Sequence, residues 1–532
     1  MPYLMALSGL FIKKGLELGD AAVNTRTLPN LLAAPSPWDL QKKVLKKLIS
    51  KAQWTGFGQY YHFSKLLQAQ NLAQAYKQTI PVFDYDKLFN EWWHGYHNWK
   101  PNQPPPENIT WPGSVNYFAL SSGTAGAPSK RIPITKAMMR AMQQANIRQF
   151  MNLTHFNLPN NFFEKQILVL GGCTKLPTHL YYKEGDLSGI LASQVPFWIG
   201  NFYKPGQRIA SMPNWNERID EIARLAPNWD IGTICGVPSW VQLLMQAIIK
   251  RHNIGHIHQI WPNLHVLVHG GVSFEPYRSV FKQLTHHQLV TIDTYLSSEG
   301  FIAFQNQPNT TAMKMVLNNG IFFEFIPFND TNFDANGTLK PNPQTQFINE
   351  VTEGIDYAIV MSTCAGAWRY TIGDTIRFTN VKNAEIIVTG RTKHFLSLCG
   401  EHLSVDNLSQ AIVHTERQLN AVIPEFTVAG VPCGNSYAHQ WYLGCQQPID
   451  PNIAATYIDQ YLKTINDDYA VERTSAIKEV RVQLLPINTF YEWMQMRGKL
   501  GGQHKFPRVL KGELLEGWQT FLLNKGYTNS KQ

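Results

Sequence analysis

The chain is poor in the signatures that most readily give a protein away. Its six cysteines, Cys173, Cys235, Cys364, Cys399, Cys433 and Cys445, lie far apart and form no CxxC pair, so a zinc ribbon, a dithiol redox motif and a disulfide scaffold are all unexpected. Reduced thiols in a cytoplasm are the simplest reading. Long apolar runs are missing as well: nowhere do about 18 uninterrupted apolar residues occur, as a membrane-spanning helix needs. In the first stretch, MPYLMALSGLFIKKGLELGD, the lysines follow the apolar residues instead of preceding them, so no cleavable signal peptide is expected. HExxH spacing is absent around the close pairs His256 with His258 and His286 with His287, which therefore read as surface or satisfied core residues and not as zinc ligands. GxSxG is absent too, which disfavours a serine hydrolase.

Charge is scarce. At 16% charged residues and 44% hydrophobic ones, including 15 Trp, 28 Phe and 21 Tyr, the sequence can fill a substantial interior and does not resemble a disordered chain. Its 532 residues exceed what one core usually organises, so at least two domains are expected. The formal charge of +9 is compatible with nucleic acid, an anionic surface or anionic substrates. Clustering decides between them. The densest run, Lys42, Lys43, Lys46 and Lys47, is interleaved with Leu40, Val44, Leu48, Ile49 and Ala52 at helical spacing, which puts the lysines on the solvated side of an amphipathic helix. The net charge is then the sole support for nucleic-acid binding.

The first hundred residues read mainly as helices and end in PNQPPPENITWPG (Pro101 to Gly113), expected as a surface connection because proline cannot continue a helix. Beyond it, short apolar runs at Ile167 to Leu170, Leu264 to Val268 and Leu289 to Ile292 alternate with helical segments such as Ser239 to His252, the pattern of crossover units around a buried, largely parallel sheet. After Asn319 come alternating strand-like stretches, IFFEFIPF and YAIVMS, joined by the polar loop 329–344, which predict a β-rich subdomain. The expected fold is α/β: a large N-terminal domain (1–390) with mixed and parallel sheets, then a small, mobile α+β domain (391–532) with helices at Ser404 to Leu419 and Ile453 to Tyr469 and strands at Phe426 to Val431 and Val480 to Leu485.

The segment YFALSSGTAGAPSKRIPIT sets a strand-like run, Tyr117 to Leu120, before Ser121, Ser122, Gly123, Thr124, Ala125 and Gly126, with Lys130 following. Such a loop can wrap phosphates. Glycines let backbone N–H groups approach oxygen, hydroxyls donate further hydrogen bonds and the lysine adds charge. It is not a Walker A loop, because the GxxxxGK[ST] spacing fails, and by itself it is equally a polar surface turn.

This loop resembles the strand-SSGTTG-K phosphate loop of the adenylate-forming superfamily of acyl-CoA synthetases, luciferases and peptide-synthetase adenylation domains. Three further stretches resemble that superfamily's motifs, in its order: TYLSSEG (Thr294 to Gly300), WRYTIGD (Trp368 to Asp374) and GRTKHFLSLCGEHLS (Gly390 to Ser404). Together with GGQHKFPR (Gly501 to Arg508), they look most like the Gretchen Hagen 3 family of acyl acid amido synthetases, whose plant members conjugate amino acids to small hormone acids. Ala125 departs from the Ser usual in plant members.

The resemblance implies MgATP, a carboxylic acid and an amine, an amino acid for preference, as reactants. Coenzyme A in place of the amine is the alternative. It also implies roles. Glu299 is the candidate Mg²⁺ ligand, against an ordinary strand-ending Glu. Tyr295 would stack on adenine, against a core aromatic, with Ser298 a nucleotide contact in the same motif. Asp374 would accept both ribose hydroxyls, against a turn Asp. Arg369 would touch phosphate or brace its loop. Gly270 and Gly271 would let adenine approach the backbone, against a plain strand-ending turn. Lys393, preceded by Gly390 and Arg391, would stand at the interdomain hinge, Arg391 would hold ribose or phosphate, and Lys505 would approach the ATP phosphates or the acyl-AMP, against a solvated loop lysine.

Overall fold

The computed structural model describes residues 12–19, 35–97, 104–121, 130–195, 200–272, 274–334, 337–392, 396, 403–433, 436–475, 477–500 and 505–527. In chain order the strands are β1 (Tyr117–Ser121), β2 (Lys130–Ile134), β3 (Gln166–Leu170), β4 (Lys183–Gly185), β5 (Tyr203–Lys204), β6 (Ile231–Gly236), β7 (Val266–Gly270), β8 (Val290–Ser297) and β9 (Gly300–Phe304). There follow β10 (Met313–Met315), β11 (Ile321–Pro327), β12 (Asp356–Thr363), β13 (Tyr370–Asn380), β14 (Glu385–Arg391), β15 (Glu425–Cys433), β16 (Ser436–Gly444), β17 (Ile477–Leu485) and β18 (Val509–Leu510).

Eleven strands form one sheet in the order β11-β12-β13-β14-β10-β9-β8-β7-β6-β3-β5. From β5 through β8 neighbours run parallel, and from β8 through β11 antiparallel. The expected β-rich subdomain, β11 to β14, is therefore part of the antiparallel half of the same sheet, joined to β10 through β14, and that half meets the parallel one where β9 pairs with β8. Crossover helices, among them Pro238–His252, pack on the parallel half and bury Trp240, Val241, Leu244, Met245 and Ile248. A smaller sheet, β2-β1-β4, holds the hairpin whose turn is the expected phosphate loop.

The basic helix Pro37–Ala52 shows why its lysines face water. Ser36 caps it by accepting from Asp39 N at 3.1 Å, and Val44, Leu45, Leu48 and Ile49 are buried while Lys42, Lys43, Lys46 and Lys47 are exposed. Gln41 on the buried face donates to Leu317 O and Ile321 O and accepts from Phe323 N, fixing the helix to the start of β11.

One expectation is corrected. The Pro-rich stretch is not simply a surface connection, because Thr110 is fully buried and Trp111 is 5% exposed. Trp368 Nε1 donates to Thr110 O at 3.0 Å, and Gly366 backs so closely on Thr110 that a Cβ there would lie 2.3 Å from its hydroxyl. Proline ends the helix, and the aromatic core then draws the following residues inward.

After Arg391 the chain leaves the large sheet and builds the small one, β17-β16-β15-β18, covered by helices Val405–Leu419 and Pro451–Ile465. Helix Val405–Leu419 begins with a capping box in which Ser404 and Asn407 satisfy each other's backbone N–H groups. No described helix is long and apolar enough to cross a membrane.

Candidate active site

A cleft of about 2210 Å³ opens where β7 and β8 end, bounded by β13, β14, the β1–β2 hairpin and the segment that leads into β18. Ligands of open α/β sheets sit outside the carboxyl ends of parallel strands, and this cleft has that position. Ser121, Lys130, Gly271, Tyr295, Ser298, Glu299, Asp374, Arg391 and Lys505, expected from separate stretches of sequence, all line it. Ser122, Gly123, Thr124 and Lys393 lie outside the described residues. Ser121 and Lys130 pair across the hairpin, so the two ends of the Ser-Gly-rich turn meet at the cleft.

Asp374 is the centre of a small network. Arg391 Nε donates to its Oδ1 at 2.7 Å and Tyr295 Oη donates to its Oδ2, also at 2.7 Å. Burial, with Asp374 beside it, holds the Tyr295 phenol protonated well beyond its ordinary range. The tyrosine expected to stack on adenine is thus also the group that orients this carboxylate. Each carboxylate oxygen keeps a second lone pair, so two hydroxyls of a ligand can still be accepted.

Glu299 closes the turn after β8, buried at 7% exposure. Burial, followed by the charge of Asp374, raises its pKa, while the nearby Lys130 opposes the rise. Lys130 also lies over the Tyr85 ring, 5.3 Å from its centroid.

Gly270 and Gly271 end β7 for a visible reason. A Cβ on Gly270 would meet Thr294 O of β8 at 2.3 Å, and Gly271 adopts φ +81°, open to glycine. The carbonyl of Gly271 accepts from Lys505 Nζ at 2.6 Å. Solvent reaches Lys505 through the cleft, yet the protein packed around its ammonium draws its pKa down to about 8, with Arg391 adding to the fall and Asp374 and Asp293 opposing it. Four charged groups from separate stretches of the chain, Lys505, Arg391, Asp374 and Asp293, are therefore in electrostatic contact here.

Arg369 is the expectation the geometry narrows. Its five N–H donors meet five protein acceptors: Nε and Nη2 bind the two oxygens of Glu324 at 2.9 Å each, Nη2 binds Thr345 Oγ1 at 2.8 Å, and Nη1 binds Lys77 O and Ile80 O. All five donors are taken by protein, which fits the bracing role, the second of the two expected for it, between the helical layer and the sheet.

Two residues at the cleft escaped the sequence reading. Asp293, whose pKa burial pushes up to about 7, lies opposite His269 across β7 and β8, and burial pushes His269 down to about 3. Their closest atoms, His269 Nδ1 and Asp293 Oδ1, are 3.6 Å apart, too far for a hydrogen bond. Asp293 stands two positions before Tyr295, on the same face of β8 by the strand's period of two, and that spacing was the available signal. The paired histidines do pack together, with rings of His258 and His287 centred 3.7 Å apart; His258 Nε2 meets Leu264 O at 2.9 Å.

The chain is similar to known proteins in sequence and in fold. The GH3 family N-terminal domain matches residues 33–180 and 147–290, the GH3 family central domain residues 314–387, and the GH3 family C-terminal domain residues 406–513. Indole-3-acetic acid-amido synthetase GH3.4 of Arabidopsis thaliana is 25% identical over 281 residues, 48% of this chain and 46% of the relative. Indole-3-acetic acid-amido synthetase GH3.5 of the same plant is 24% identical over 291 residues, again 48% and 46% of the two chains. The chain thus spans about half the length of the curated relatives it matches. Among solved structures, GH3.15 acyl acid amido synthetase superposes with a TM-score of 0.74 at 16% identity, covering 96% of both chains. 2-Hydroxyisobutyryl-CoA ligase in complex with 2-HIB-AMP gives a TM-score of 0.57 at 12% identity, over 94% of this chain and 96% of that one. Those two likenesses establish the α/β fold of a large and a smaller unit. With three family domains following one another in order along the sequence, the chain belongs to the GH3 family.

Proposed function

We propose that the chain is an ATP-dependent acyl acid amido synthetase. The carboxylate of an organic acid attacks the α-phosphorus of ATP, giving acyl-AMP and pyrophosphate; an amine, an amino acid for preference, then attacks the acyl carbon, loses a proton and expels AMP. The observation that carries the reading is the meeting of Lys130, Glu299, Asp374, Arg391 and Lys505 in one cleft beside the Ser-Gly-rich hairpin turn. A poor leaving group becomes a good one, and no protein nucleophile is required.

In this reading, Lys130 and Lys505 neutralise phosphate charge, with Arg391 at ribose or phosphate, and positioning does most of the rest. Asp374, oriented by Tyr295 and Arg391, accepts the ribose hydroxyls. Adenine enters beside Gly270 and Gly271, which requires Lys505 to yield the carbonyl of Gly271 or share it. The chemistry of Glu299 fits Mg²⁺: it is a buried carboxylate whose charged form Lys130 compensates only in part, and a hard cation would supply the rest. Among the described residues no group of three His, Cys, Asp or Glu is arranged for a metal, so the ion would be held by Glu299 together with nucleotide phosphates, where it would neutralise their charge. A cytoplasmic setting belongs to the same reading, since thiols such as those of Cys173, Cys235, Cys364, Cys433 and Cys445 persist free in a reducing compartment.

The test is pyrophosphate release from MgATP across a panel of aryl, indole and fatty acids, each with and without mixed amino acids or coenzyme A. Release that depends on an acid and rises with an amino acid supports the amide ligase. A rise with coenzyme A alone replaces it with a thioester-forming ligase, and absence of release with every acid removes the reaction.

A further inference from the structure

Tyr277 belongs to none of the motifs, yet it ties the two units together beside the cleft. It ends the short turn Glu275–Tyr277, is 1% exposed and packs into the apolar core on the parallel half of the large sheet. Its hydroxyl reaches out of that core to the small unit. There it donates to Glu425 Oε1 at 2.9 Å and accepts from Arg508 Nη2 at 3.0 Å.

The groups it meets are a buried pair. Arg508 Nη1 donates to Glu425 Oε2 at 2.8 Å and to Phe426 O at 2.9 Å, its guanidinium lies over the Phe426 ring, and only 8% and 3% of the Arg508 and Glu425 side chains are exposed. A fully desolvated ion pair holds its place when every remaining lone pair and proton finds a partner. Tyr277 supplies one from the large unit, and Tyr491, within the small unit, supplies another to Glu425 Oε1 at 3.2 Å.

Position along the chain gives the pair its consequence. Arg508 follows Lys505 by three residues, and Val509 next to it is paired with Val428 of β15. Three residues reach at most about 10 Å, so Lys505 cannot keep its bond to Gly271 O if Arg508 moves far. We propose that Tyr277 is a positioning residue for adenylation: by holding Arg508 and Glu425 to the large unit, its hydroxyl sets where Lys505 enters the cleft. The reaction named here rests on the amido synthetase reading, whereas the link between Tyr277 and Lys505 rests on geometry alone.

The experiment uses the full chain without substrates. Lys505 is acylated with a limiting amine reagent over a range of pH, and the peptide carrying it is quantified by mass spectrometry in wild type, Tyr277→Phe and Tyr491→Phe. Exposed Lys42 and Lys43 serve in the same samples as labelling references, and the melting temperature of each variant reports that it is folded. In wild type the labelling midpoint is expected at about 8. Tyr277→Phe is expected to move it up towards the ordinary lysine value of about 10.4. Acid-dependent pyrophosphate release should fall roughly tenfold with it, as the loss of one hydrogen bond to a charged group predicts, while amine transfer from preformed acyl-AMP is spared. Tyr491→Phe takes a hydroxyl from the same carboxylate oxygen without touching the link and should leave the midpoint in place. An unmoved midpoint in Tyr277→Phe overturns the proposal, as does an equal shift in Tyr491→Phe. Should no acid elicit pyrophosphate release even in wild type, the reaction fails, and the labelling still decides the link.

Discussion

Arg391 and Asp374 are register partners on β14 and β13, and the guanidinium Nε of the first donates to Oδ1 of the second at 2.7 Å. The hinge-like GR stretch and the Y-x-x-GD stretch, separate in sequence, are thereby one structural unit. Because Arg391 keeps 47% of its side chain exposed, the pair adds little to stability and its value lies in orientation.

Asp374→Ala is therefore expected to leave the fold intact and to suppress acid-dependent pyrophosphate release roughly 10–100-fold, the range for hydrogen bonds to a charged group. Measured release at the wild-type rate would remove Asp374 from the nucleotide site.

Glu299→Gln should separate stability from activity. In an unfolded chain Glu titrates near about 4.3, and burial raises that value in the fold. Between the two values the native state binds more protons, so stability falls as pH rises through this window and stays lower above it. The Gln variant escapes that loss. Its melting temperature should exceed wild type at neutral pH and the gap should close as pH falls towards about 4, while its dependence of pyrophosphate release on Mg²⁺ weakens. A melting temperature below wild type at neutral pH would contradict the account.

Lys505 titrates from about 8 in the fold, so its positive charge is present below that pH and is lost as pH rises through it. Pyrophosphate release at subsaturating ATP, which reports the free enzyme, should decline over the same interval. Lys505→Arg should retain more of its neutral-pH rate at high pH because a guanidinium stays charged. Lys505→Ala should be slower by about 100-fold or more, and flat with pH in this range. A wild-type profile without a break near about 8 would exclude the ammonium as the active form.

Arg369→Met tests a bracing role. Removing the guanidinium leaves Glu324, whose side chain is 1% exposed, as an uncompensated buried charge, and breaking such a pair costs about 3–5 kcal/mol. Urea unfolding should show that loss, with nucleotide affinity of the remaining folded protein unchanged. Intact stability with weakened nucleotide binding would return Arg369 to the phosphate site.

Much of this site was legible where its chemistry is local. The Ser-Gly stretch, the two glycines near the end of β7 and the carboxylates Glu299 and Asp374 could be picked out as candidates because a phosphate loop, a close backbone approach and a charged acceptor each require particular residue types at short spacing. Arg369 shared one of those stretches with two roles left open, since its acceptors Glu324, Thr345, Lys77 and Ile80 come from other elements and only packing brings them to it. Asp293 and His269 went unnoticed for the same reason: each is an ordinary strand residue until β7 and β8 pair in register.

By itself the sequence determined the α/β alternation, the amphipathic basic helix, the family and the residue types that line the cleft, because periodicity, turns and motif spacing act over a few residues of chain. Only the tertiary structure decided that parallel and antiparallel halves share a single sheet, that Trp111 turns inward, that Arg369 is a brace, and that Tyr277 meets Arg508 beside Lys505. Those outcomes depend on desolvation and on partners distant in the chain, and burial and pairing exist only once the chain has closed on itself.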